Sequence, residues 1–135
     1  MNKGTRLLAA ALMLGGVAGQ AFGQAWPAKP IHIVVPFPPG QSADTMMRIL
    51  SERLPSIIGQ PVIVENRPGA GGVIGMEYVM KQPADGYTVV MAGSGPTSIS
   101  PTLQKLPYDT TRDFDPVTAV ASVAQVFMVI LSFQG

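Results

Sequence analysis

Two short polar segments hold the residues of this chain whose types and spacing could do chemistry: Phe37-Pro38-Pro39-Gly40-Gln41-Ser42-Ala43-Asp44 and Gly93-Ser94-Gly95-Pro96-Thr97-Ser98. The chemistry in question is anion binding. Backbone N–H groups from Gly40 to Ala43, helped by the Gln41 and Ser42 side chains, can donate to an anion directly or through water, at the positive end of a following helix. Ser94, Gly95, Thr97 and Ser98 could close the other side of the same pocket, because two helix N-termini aimed at one spot add their partial charges. The plainer readings are a tight strand-to-helix connection for the first segment and helix entry for the second. Asp44 reads as the N-cap of its helix, since a carboxylate aimed at an anion would repel it; contact with a ligand hydroxyl or ammonium is the other reading. Phe37 either covers the ligand or packs at the rim, and Pro39 belongs to the same candidate set.

Other chemistries find little support. The 135 residues include no cysteine and one histidine, His32, which sits near the start of an apolar run and well away from the first polar segment. A thiol nucleophile, an iron–sulfur site, a serine triad and a histidine-rich metal site are therefore not expected, and neither metal nor cofactor is assigned. Gly69-Ala70-Gly71 invites a dinucleotide reading that fails on spacing: Ile74 stands where glycine or alanine is required, and no Walker lysine follows. Close backbone packing at a loop-to-helix turn is the alternative for these glycines. Arg67 could pair with a ligand carboxylate or, beside Glu65 and Asn66, fix its own loop. The formal net charge of +1 provides no basic field for nucleic acid.

The elements that must position these residues follow from periodicity and punctuation. Ile31 to Val35 is a buried strand, and the helix after Asp44 places Met46, Met47, Leu50 and Leu54 on one face. Pro55 kinks or restarts that helix and Gly59 ends it. Pro61 to Glu65 is a second strand, Asn66 to Gly72 a loop, Val73 to Lys81 a helix, and Tyr87 to Ala92 a third strand. Ser100-Pro101 suggests a helix cap and first helical position, Val117 to Val120 a short strand, and Val126 to Leu131 another. Strands alternating with helices imply a parallel α/β sheet with both polar segments on one edge. Methionines 46, 47, 76, 80 and 91 fall at packing positions.

The first 25 residues read as a secretory signal: Lys3 and Arg6, an apolar stretch from Leu7 to Ala18, then small-residue cleavage sites before Gln24 or Trp26. The apolar stretch falls short of the roughly 20 residues a spanning helix needs, so the mature chain is expected outside the inner membrane. What remains suits one domain.

Six ordered motifs then carry a resemblance: Trp26-Pro27 with Lys29-Pro30-Ile31, Val35-Pro36-Phe37-Pro38-Pro39-Gly40, Gly59-Gln60-Pro61-Val62, Glu65-Asn66-Arg67-Pro68-Gly69-Ala70-Gly71-Gly72, Asp85-Gly86-Tyr87-Thr88 and Leu106-Pro107-Tyr108-Asp109. From about Trp26 to Ile130 the chain closely resembles the Bug family, the extracytoplasmic solute-binding receptors of tripartite tricarboxylate transporters. The resemblance implies a periplasmic-binding-protein-like (type II) fold with a mostly parallel sheet, closing on a small carboxylate such as a di- or tricarboxylate, an acidic amino acid or an aromatic acid. It implies a periplasmic location, membrane transporter subunits as partners, and no enzymatic activity. Residues 26–135 would then form an incomplete first lobe, truncated before the second. The alternatives are an inactive remnant or interaction fragment, and an exported α/β enzyme using Ser94 or Asp44.

Overall fold

The computed structural model of the protein describes residues 26–123. The signal reading at 1–25 and the strand expected at Val126–Leu131 lie outside the described residues. β1 (Ile31–Val35) is the central strand of a three-stranded sheet, flanked by β2 (Val62–Asn66) and β3 (Thr88–Val90) in the order β2-β1-β3. Both pairings are parallel, with Ile31 opposite Val62 and His32 opposite Thr88. A strand covered on both faces reads as a near-continuous apolar run, as β1 does apart from the half-buried His32; Val34 and Val35 have no solvent exposure. Successive side chains take opposite faces. Ile33 and Val35 pack with Met47, Val89 and Met91 on one face, while Val90 joins Val73, Met76 and Tyr108 on the other.

After β1 the chain forms α1 (Ser42–Arg53), and Pro55 restarts it as α2 (Pro55–Ile58), which ends at Gly59 as expected. After β2 a tight turn at Ala70–Gly72 leads into α3 (Val73–Met80). After β3 a π-helical turn at Gly95–Ile99 runs directly into α4 (Ser100–Leu103). Methionines 47 and 76 are core residues, and 46, 80 and 91 pack against them.

Three expectations are corrected. Asp44 is not the N-cap of α1: Gln41 is, in extended conformation (φ −73°, ψ 163°), and its carbonyl accepts from Thr45 N–H at 2.9 Å. Asp44 lies in the first turn instead, drawn inward by partners described below. The segment at 94–98 is already helical, as its helix-entry reading has it, so Ser100 is interior to the helical run and is not the cap expected there. Helix entry moves upstream because the Gly93 carbonyl accepts both the N–H (3.3 Å) and the Oγ1 hydroxyl (2.8 Å) of Thr97. Pro96, which has no N–H to leave unpaired, sits at the start of this turn. Finally, Val117 to Val120 forms no strand. Val117 is 84% exposed, and no described strand pairs with that segment.

Candidate functional site

The sheet order brings three loops to one edge. From β1 the chain crosses to β2 on one side and then to β3 on the other, so the connections after β1 and β3 diverge beside a topological switch point. In open parallel sheets that crevice, outside the carboxyl ends of the strands, is where ligands bind. Arg67 N–H donates to Val35 O at 2.9 Å and Met91 N–H to Val34 O at 2.8 Å, which holds the three strand ends side by side.

Close approaches between the loops need glycine. A Cβ on Gly75 would lie 2.5 Å from Pro36 Cβ and 2.9 Å from Pro36 Cα, so α3 presses its backbone onto the start of the first loop. A Cβ on Gly72 would meet Pro96 Cγ at 3.1 Å, and one on Gly93 would meet Phe37 Cζ at 3.7 Å. The Phe37 ring therefore lies between the first and third loops, half-buried against the core around Ile33 and Met47. The expectation of close backbone packing in the glycine-rich segment holds. There Ala70 adopts a left-handed φ of 46°, followed by Gly71 and Gly72 at 63° and 100°.

Pro39, Gly40, Gln41 and Ser42 are exposed, Ala43 is half-buried, and Asp44 is buried. Gly40 takes a left-handed φ of 84°, and its N–H is committed to Asp44 Oδ2 at 2.8 Å rather than left for a ligand. The N–H groups of Gln41, Ser42 and Ala43 meet no acceptor among the described residues, as befits the first turn of a twelve-residue helix. In the third loop Ser94 is exposed, Gly95 half-buried, and their N–H groups likewise meet no described acceptor. Thr97 spends its hydroxyl on Gly93 O, and Ser98 lies further along the turn, its carbonyl accepting Thr102 Oγ1 at 2.9 Å.

Asp44 belongs to a polar network that periodicity does not show. Arg48 donates through Nε to Asp44 Oδ2 at 3.0 Å, pairs with Oδ1 at 3.0 Å, and reaches Asn66 Oδ1 at 2.9 Å. Asn66 Nδ2 donates to Asp44 Oδ1 at 2.9 Å and to Phe37 O at 3.2 Å. The Arg48 bond, then Gly40 N–H and Asn66, hold the Asp44 carboxyl down at about 2, against the opposing effect of burial. Arg67 fixes its own loop, bonded to Glu65 and stacked over Tyr78 at 4.0 Å from the ring centroid. Across the other face Tyr108 OH donates to Pro96 O at 2.8 Å and so ties Leu106–Asp109 to the π-helical turn. A polar residue at the carboxyl end of a parallel strand was the available signal for Asn66; a lone aromatic in a proline turn was the one for Tyr108.

Unpartnered N–H groups at the start of α1 and of the π-helical turn thus stand on either side of the switch point of an open parallel sheet. Over residues 46–133 the chain matches the tripartite tricarboxylate transporter family receptor. It belongs to that family, whose members are solute-binding receptors. Protein BugT of Bordetella pertussis is 42% identical over 129 residues, covering 92% of this chain and 40% of BugT. Among solved structures, a periplasmic transporter is 42% identical with a TM-score of 0.66 over 70% of this chain and 32% of its own. MatC from Rhodopseudomonas palustris, solved with bound malate, is 33% identical with a TM-score of 0.65 over 68% of this chain and 32% of its own. The chain thus spans about 40% of the length of BugT. No helix among the described residues is long and apolar enough to cross a membrane.

Proposed function

We propose that this chain supplies the first lobe of an exported, periplasmic solute receptor that holds a small carboxylate of the malate type and delivers it to membrane transporter subunits. Residues 1–25 act as the export signal in this reading, and 26–135 form the lobe. The carrying observation is the pair of unpartnered N–H groups sets, Gln41 to Ala43 and Ser94 to Gly95, flanking one switch point. Ser42 and Ser94 hydroxyls add donors, Gln41 reaches over the anion, and Phe37 with Pro39 shields it. Gly40 and Thr97 shape the two turns, and Ser98 extends the polar rim. The family and the malate-bound relative support the ligand class. Binding needs no metal or cofactor here and no catalytic step.

One substitution removes both donors of Ser42. Ser42 is the first residue of α1, where proline keeps the helix while taking away the N–H and the hydroxyl, and Gln41 already has the extended conformation that proline requires before it. Millimolar malate should shift the amide resonances of Gln41, Ser42, Ala43, Ser94 and Gly95. Ser42→Pro should weaken that response by roughly 10-fold or more, since a hydrogen bond to a charged group contributes about 1.5–3 kcal/mol. Lys105→Ala should leave it unchanged. A Ser42→Pro variant that stays folded and binds malate as well as the parent overturns the assignment.

A further inference from the structure

We propose that Asp44 is a positioning residue: braced by Arg48 and Asn66, its carboxylate clamps the Gly40 N–H and so fixes the 37–41 loop, leaving the N–H groups of Gln41, Ser42 and Ala43 free to face a ligand.

Oδ2 accepts from Gly40 N–H and Arg48 Nε, and Oδ1 accepts from Asn66 Nδ2. The second Arg48 nitrogen lies 3.0 Å from Oδ1 as an ion pair and gives its hydrogen bond to Asn66 Oδ1. A side chain 2% exposed and bonded in this way is buried against its own partners rather than presented to a ligand hydroxyl or ammonium. It is also more than a helix cap. In a capping box the first-turn carboxylate reaches back to the N-cap N–H, whereas Asp44 reaches past Gln41 to Gly40, outside the helix. Asn66 holds the other end of the same loop through Phe37 O. The network therefore grips the loop at Phe37 and at Gly40, where glycine allows the left-handed turn that aims its N–H at Asp44.

The charge balance fits this role. Arg48 is the charged group facing the carboxylate from α1; from β2 the facing group is the neutral Asn66 amide, and from the loop the Gly40 N–H. The guanidinium paired with Asp44 offsets the negative charge behind the donor turn, so the clamp does not repel an anion in front of it. Asp44→Asn keeps the shape but turns an NH2 group toward donors on Arg48 or Asn66, which breaks the clamp. Asn66→Ala keeps the Asp44–Arg48 pair and removes the brace.

Amide hydrogen exchange and pH titration of the full 135-residue chain test the proposal. Gly40 N–H should exchange slowly and should do so at least 10-fold faster in Asp44→Asn and in Asn66→Ala, while Val34 and Leu50 keep their protection. The Gly40 amide shift should report the Asp44 titration: the clamp is complete above the ordinary carboxylate value of 3.8 and is lost as pH falls through about 2. Where Asp44→Asn does not fold, Asn66→Ala carries the exchange measurement alone. Unchanged Gly40 exchange in a folded variant, or acceleration spread equally over Val34 and Leu50, overturns the proposal, as does a Gly40 shift insensitive to acid. The inference rests on the carboxylate reading only for what the freed donors meet. Malate failing to shift Gln41 to Ala43 in the parent chain would overturn that reading, while Gly40 exchange still decides the clamp.

Discussion

Gly75→Val should destabilise the chain by about 3 kcal/mol, the upper part of the range for overpacking a filled interior. The valine Cβ would start 2.5 Å from Pro36 Cβ, 2.9 Å from Pro36 Cα and 3.0 Å from Arg67 O. Two of those three atoms are backbone and the third belongs to a proline ring, so no flexible side-chain end can swing away. Either α3 lifts from the sheet, which opens the core around Val73 and Met76, or Pro36 moves and carries the Phe37–Gly40 loop with it. Gly75→Ala tests the same contact with less bulk. Helix propensity favours alanine over glycine by about 1 kcal/mol, so a net loss for Gly75→Ala would show that the clash outweighs propensity. Urea midpoints of the three proteins check the order: parent above Gly75→Ala above Gly75→Val.

Much of this arrangement is legible from local signals. An apolar run stopped by prolines, a helical stripe of Met46, Met47 and Leu50, and glycine at the end of the second helix each depend on near neighbours, and the structure has each element where those neighbours place it. What stayed hidden depends on residues far apart in sequence. Asp44 in isolation is a sound N-cap. Its actual place is set by Arg48 one turn on and by Asn66 at the end of a different strand, which together make an inward carboxylate better satisfied than a capping one. Ser100-Pro101 is likewise a sound helix start, overridden because Thr97 already closes a turn on Gly93. The free N–H groups of Gln41 to Ala43 were legible, unlike the committed one of Gly40, because backbone N–H groups at a helix start are free by geometry. The side chains that hold them in place were not, because hydrogen-bond closure leaves no periodic trace.

The last expected result concerns a residue outside both polar segments. Tyr108→Ala should cost about 3–5 kcal/mol, as removal of a buried aromatic side chain does, and should disturb the Ser94 and Gly95 amides although Tyr108 touches neither candidate donor. The ring is 6% exposed, packs with Val73 and Met76, and meets Phe114 edge-on at 5.7 Å. Burial pushes the phenol's pKa up, so the hydroxyl remains a donor through neutral pH, and it gives its proton to Pro96 O at 2.8 Å. Pro96 lies at the start of the π-helical turn and is itself buried, with its ring against Gly72, so this bond anchors the turn that begins beside Ser94 and Gly95. A π turn is less favourable than an α turn and is commonly kept at functional sites by its surroundings. Tyr108→Phe separates the two contributions. It retains the ring and loses only the hydrogen bond, so stability should fall by about 1–3 kcal/mol, the cost of stranding a buried carbonyl, and the Ser94 and Gly95 resonances should move with little change at Val73 or Met76. If Tyr108→Phe leaves those two amides where they are, the turn is held by Pro96 packing and the Gly93–Thr97 closure alone, and the hydroxyl has no part in shaping the site.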